Sequence, residues 1–143
     1  MDRSERVAKL VDHAKNPRFS GSLADADVKM PGGSPECGGS VTVYLKGDGE
    51  NPENILGLSF EGQGDTISMG ATSLIMDIVH EEGMTMEEIL ALDYEQFVGG
   101  IGRDIVGSRT RNATMGLSTV KSAIRKYRRD RLTGRGTPQS EAV

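Results

Sequence analysis

The chain has 143 residues and a formal net charge of −4, long enough for one domain with a real core. Hydrophobic residues make up 36% and aromatics 4%, with no Trp, so that core must be built from Val, Ile, Leu and Met. A single cysteine excludes an intramolecular disulfide, no apolar run approaches a membrane span, and residues 1–20 hold no apolar signal segment, which makes the cytoplasm the expected compartment.

Asp2-x-x-Glu5 has the spacing of a capping box, and Val7, Leu10, Val11 and Ala14 then fall on one helical face. Asn16-Pro17 ends that helix, because a residue before proline avoids the helical region. Residues 18–39 are rich in Gly, Ser, Asp and Pro and read as loop, with a short strand near 28–30. Val41, Val43 and Leu45 alternate with Thr42 and Tyr44, the dense turn residues of 47–52 follow, and 55–61 reads as a second strand, so 40–61 is predicted to be a hairpin. After Gly62-Gln63-Gly64 the period changes from two to 3.6, predicting a helix over 68–82 that stops at Gly83. Thr85-x-x-Glu88 and Asp93-x-x-Gln96 open short helical turns, and Gly99-Gly100-Ile101-Gly102 reads as a flexible joint. Ala113, Leu117, Val120, Ile124 and Tyr127 mark a last helix over 112–128. The predicted organisation is a single domain over 1–130 followed by a disordered tail over 131–143. Helix, strands, then helices argue an α+β fold, with an antiparallel sheet of about three strands packed against helices.

The charge is unevenly spread. The segment from Asp77 to Asp104 is acidic apart from Arg103, while Lys121 to Arg135 is basic apart from Asp130. The basic run reads as a solvated helix end whose cations complement the helix dipole, rather than a nucleic-acid surface, because only Tyr127 interleaves it. Gly62, Gly64 and Gly70 do not have dinucleotide-binding spacing, and no Gly-Lys-Ser/Thr follows them. An anion pocket formed by Arg109 and Arg111 with the Gly62-x-Gly64 turn is the residual phosphate-type reading.

Taken in series, four segments resemble the NifU/IscU family of iron–sulfur cluster assembly scaffolds. They are Asp12-His13-x-x-Asn16-Pro17-Arg18, Pro35-Glu36-Cys37-Gly38, Phe60-x-Gly62-x-Gly64 with its small-residue helix, and Arg111-Asn112-Ala113-Thr114-Met115-Gly116-Leu117. The resemblance implies that family's α+β fold and a site at one end of it. In the family that site holds three cysteines, an aspartate two residues after the first, and often a histidine beside the third. The corresponding positions here are Cys37, Asp65 and Asn112 for the thiols, Gly39 for the aspartate and Arg111 for the histidine. By resemblance the cofactor would be iron, zinc or an iron–sulfur cluster, and the partner a cysteine desulfurase or another iron–sulfur assembly protein, with a homo-oligomer also open.

Thiolates hold iron–sulfur clusters, so one thiol, one carboxylate and one neutral amide make a poor set, and no cluster is expected to stay on the isolated chain. Cys37, on a Gly/Pro-rich loop, is read either as a persulfide acceptor or as a small hydrophobe. Asp65 is read either as a hard oxygen ligand or as the N-cap of the following helix, and Asn112 carries the same two readings. Arg111 is expected to pair with Asp65, an internal cation filling the place of a metal. His13 is read as a helix-end packing residue and His80 as a surface one. Two other functions stay open: a non-metal interaction subunit, and a small-molecule or anion-binding protein reusing the same cleft.

Overall fold

The computed structural model describes residues 1–134, and the rest of the expected tail lies outside them. Helix α1 (Arg3–Lys15) opens on the Asp2/Glu5 capping box and closes at Asn16. Strands β1 (Val28–Ser34), β2 (Gly39–Gly47) and β3 (Ile55–Gly64) form an antiparallel meander in the order β1-β2-β3. Each strand is longer than its alternation alone predicts, and a single 3₁₀ turn, Pro35–Cys37, joins β1 to β2. Register sets Val43 opposite Met30 on one side and Phe60 on the other. Val41, Val43 and Leu45 point into the core as their spacing requires, and Tyr44 is buried on the opposite face with its hydroxyl donating to Glu61.

Helix α2 (Thr66–Glu82) starts two residues before the expected 68 because Asp65 caps it, and Gly83 ends it in the left-handed conformation. The capping box at Thr85 starts α3 (Met86–Leu90), and Asp93 caps α4 (Tyr94–Ile101) through the Gln96 N–H. The glycine-rich joint is not a joint: Gly99 and Gly100 lie in the last turn of α4, drawn in by the burial of Val98 and Ile101. Helix α5 (Arg103–Val106), flanked by Gly102 and Gly107, was not predicted. Helix α6 (Thr110–Leu132) is longer than expected at both ends and enters the segment read as disordered tail.

The principal core lies between the sheet and α2 and α6, where Val43, Leu45, Phe60, Ile75, Leu117 and Ile124 are almost fully buried. A second, smaller cluster joins α1, α2 and α4 through Leu10, Ala71, Leu74, Val98 and Ile101. Lys121 of α6 is buried; its ammonium donates to the Leu92 carbonyl and lies 4.3 Å from the Tyr94 ring centroid. Arg128 on α6 clamps Glu53 of the β2–β3 turn at 2.9 Å and Glu87 of α3 at 3.3 Å. No helix among the described residues is long and apolar enough to cross a membrane.

Candidate functional site

Helix α2 carries polar networks at two levels. Near its middle, Ser73 holds the corner where α1 turns into the following loop. Its hydroxyl accepts the Arg18 N–H at 2.8 Å and lies 2.8 Å from Nδ1 of His13, which is 2% exposed. Arg18 reaches back to Asp12 at 2.6 Å and to the Asn16 carbonyl at 2.9 Å, while the Asn16 amide donates to the other Asp12 oxygen at 3.0 Å. Burial, with the nearby Arg18 charge, holds the His13 ring below the ordinary histidine range, so its neutral form is favoured. The Asp12-to-Arg18 signature is thus a structural corner, and His13 is the packing residue its position suggests. His80 is exposed at the far end of α2, but its ring stacks on Phe19 with centroids 3.5 Å apart, a contact 61 residues long that no local pattern signals.

At the start of α2 the loops converge. Cys37 ends the 3₁₀ turn and is half-buried against the principal core rather than fully exposed. Its carbonyl accepts the Ser68 hydroxyl at 2.7 Å, and the next carbonyl, that of Gly38, accepts the Asp65 N–H at 2.9 Å. The turn is therefore tied to the N-terminus of α2 by two bonds. The thiol sulfur accepts a long hydrogen bond from the Ser34 hydroxyl at 3.5 Å. Ser34 also serves the Glu36 carboxylate, which is held below the usual glutamate range by that contact first, then by its own backbone N–H and the charge of Arg111.

Asp65 caps α2 with one oxygen, taking the Ser68 N–H at 2.8 Å, and with the other accepts the Asn112 side-chain amide at 2.8 Å. Burial opposes its charge, but these Ser68 and Asn112 bonds, with Arg109 nearby, outweigh it and keep the carboxyl below the ordinary aspartate range. Asn112 is not a cap. It lies in the first turn of α6, whose N-cap is Arg109, and it crosses 47 residues of sequence to reach Asp65. The expected Asp65–Arg111 ion pair does not form among the described residues; Arg111 is exposed, and its charge helps to lower the pKa of Glu36.

Gly38 sits at the centre, at φ 76°, and a Cβ there would collide with both the Asp65 carboxylate and the Asn112 amide. At Gly39 a Cβ would stand 2.5 Å from the Gln63 carbonyl oxygen, so this backbone has no room for the aspartate that the resemblance implies. Cys37, Asp65 and Asn112 are thus brought to one end of the fold, with Gly38 between them, while Arg111 stands outside.

That arrangement decides what can be held. Both Asp65 oxygens are engaged, and Asn112 turns its N–H donors, not its oxygen, toward the carboxylate. Among the described residues no three His, Cys, Asp or Glu side chains gather as a metal set. The side chains present do not fit an iron–sulfur cluster, which needs several thiolates. Ser68, which sequence reasoning missed as a site residue, was half legible: Asp65-x-x-Ser68 has cap spacing, but the bond from its hydroxyl to Cys37 is long-range.

Residues 5–133 match the family model described as the NifU-like N terminal domain. The chain belongs to that family. Among curated relatives of this NifU-like domain is an iron–sulfur cluster assembly scaffold protein IscU from Thermotoga maritima, 32% identical over 114 residues, which cover 79% of this chain and 75% of that protein. A zinc-dependent sulfurtransferase SufU from Bacillus subtilis is 34% identical over 83 residues, 58% of this chain and 52% of that protein, so the match spans about half of that relative. The fold recurs in the crystal structure of a nitrogen-fixing NifU-like protein (N-terminal) from Brucella abortus, with TM-score 0.63 at 15% identity over 90% of this chain and 99% of that one. The α+β architecture and the NifU/IscU membership are therefore those that the four motifs imply.

Proposed function

We propose that this NifU-like protein serves iron–sulfur assembly by receiving sulfur on Cys37, and that it does not hold a cluster on its own. The observation that carries the reading is the Asp65–Asn112 hydrogen bond: it joins two of the three family thiol positions to each other and leaves Cys37 the only thiol. Relatives named as a cluster scaffold and as a sulfurtransferase support the same biology. The donor would be a cysteine desulfurase carrying a persulfide, in the cytoplasm.

The transfer needs no oxidant. The Cys37 thiolate attacks the terminal sulfur of the donor's persulfide, a new S–S bond forms on Cys37, and the old one breaks with its electron pair leaving on the donor's cysteine. The Ser34 hydroxyl, 3.5 Å from Sγ, is available to hydrogen-bond the sulfur through this exchange. Two bonds from α2, by Ser68 and Asp65, hold the turn still while a partner approaches.

Incubation with a cysteine desulfurase and cysteine, followed by intact mass spectrometry, tests this. The expected product carries one added sulfur on Cys37, released by reductant and absent from Cys37→Ser. Anaerobic treatment with iron and sulfide is expected to give no stoichiometric cluster spectrum. An unmodified Cys37 beside a competent desulfurase, or a full cluster spectrum, would overturn the proposal.

A further inference from the structure

Far from Cys37 in sequence, α1, α2 and α4 enclose a cleft of about 420 Å³. It lies at the seam of the two hydrophobic clusters, and Phe97 packs against both. Leu74, Ile75, Ile78, Leu92, Phe97 and Ile101 form its walls. Ile78, Leu92 and Phe97 are only partly buried, so the seam leaves apolar surface that the fold itself does not cover. The size falls within the range of small-molecule sites, which are typically apolar with a few polar groups at fixed points.

The polar groups at this cleft are not equivalent. Arg6 pairs with Asp104 at 3.1 Å, a carboxylate that Arg3 contacts at the same distance. Asp93 directs its carboxylate to the Gln96 N–H as the cap of α4, where the helix dipole favours its charge. Lys9, one helical turn beyond Arg6, is exposed and enters no ion pair among the described residues. An apolar cleft with an unpaired lysine at its edge is complementary to an anion with an aliphatic tail. Gly100, on the exposed side of α4, borders the slot, and a Cβ built on it meets nothing within 4 Å, so a larger side chain can be placed there without a clash.

The geometry points to a binding site for a monocarboxylate with an unbranched alkyl chain, of the fatty-acid class: the chain lies between α2 and α4, and the carboxylate is met by Lys9. No part of this site touches Cys37, so Cys37→Ser leaves it unchanged.

The test uses the full chain, titrated with dodecanoate below its micellar concentration and followed by amide chemical shifts, with dodecanol and dodecyltrimethylammonium as uncharged and cationic probes. Saturable shifts confined to α1, α2 and α4 are expected, with dodecanoate the tightest of the three. Gly100→Leu fills the slot with a better helix former, so it should abolish binding while leaving the thermal transition in place. Lys9→Glu should weaken dodecanoate at least about tenfold, some 1.4 kcal/mol, while dodecanol stays within about twofold. Absence of saturable shifts, equal affinity for all three probes, or indifference to Gly100→Leu would overturn the site. So would concentration-dependent broadening of the same residues without any probe, which would assign the cleft to a second copy of the chain.

Discussion

The two ends of the polar wiring on α2 make an instructive pair. At Ser73, the corner keeps Asp12, His13, Asn16 and Arg18 of the NifU/IscU signature, and each of these four has a structural partner. At Asp65 the signature changes, and the substituted residues have also found partners, but in each other. The first network holds α1 to α2. The second performs a similar office for the Cys37 turn and α6, in a place where the family resemblance implies metal ligands. A polar position can thus exchange chemistry for cohesion without losing its place in the fold, because a carboxylate and an amide satisfy one another as a metal would have satisfied two thiolates.

The sharpest way to break this comparison is to restore thiols at the second network. Asp65→Cys combined with Asn112→Cys surrounds Gly38 with three cysteines, Cys37 included. Three thiolates and a water complete a tetrahedral zinc site. The double variant is expected to retain about one zinc per chain after dialysis, by elemental analysis, where the unmodified chain retains far less. Equal retention by the two proteins would show that the substituted positions do not limit metal binding.

Substitution at the first network acts on stability. His13→Ala removes a buried ring and leaves the Ser73 hydroxyl short of a partner, so unfolding in urea should show a loss of roughly 2–4 kcal/mol. Sulfur acceptance by the fraction still folded should be unchanged. A variant with unaltered stability would mean that α1 is not anchored through this corner.

Gly38→Ala probes the second network with a single methyl group. Its cost joins a left-handed backbone to a collision with Asp65 and Asn112, and roughly 1–3 kcal/mol is expected in the same denaturation experiment. Pairing it with Asn112→Ala sharpens the point: if the amide is what the methyl meets, the double variant should lose less than the sum of the two single losses.

These outcomes bear on how much could be read from residues alone. Elements with local causes were legible: alternation set the 40–61 hairpin, and caps at Asp2, Thr85 and Asp93 depend on residues three apart. The choice between Arg111 and Asn112 as partner of Asp65 was not. Adjacent residues on a helix point about 100° apart, so only one can face a given neighbour, and which one depends on the phase at which α6 begins. Charge favoured Arg111; the helix begins at Thr110 and presents Asn112. Glycine misled in a similar way at Gly99 and Gly100, where tertiary burial of Val98 and Ile101 overrides poor helix propensity. The Cys37 end was legible as a meeting of loops only through the family pattern, because its bonds span 31 and 47 residues.

The subtlest difference between the networks is their response to acid. His13 has a folded pKa below the histidine value of 6.5, so once the pH falls under about that value the unfolded chain takes up a proton that the folded chain refuses. Stability should therefore decline on acidification, beginning near 6.5 and continuing until the folded ring itself titrates. Asp65 also has a lowered folded pKa, but its reference value is 3.8, so its contribution is complete above that pH and is lost only as the pH falls through the depressed folded value. The signs agree and the windows do not overlap at their upper edges. Urea denaturation at a series of pH values should show His13→Gln flattening the decline just below neutrality while sparing the steeper loss in strong acid. Asp65→Asn should do the reverse in part only, because Asp12, Glu36 and Asp104 are lowered as well and continue to titrate there. If His13→Gln left the upper decline intact, the ring would not be held neutral by its burial, and the corner would owe its cohesion to the Asp12–Arg18 pair instead.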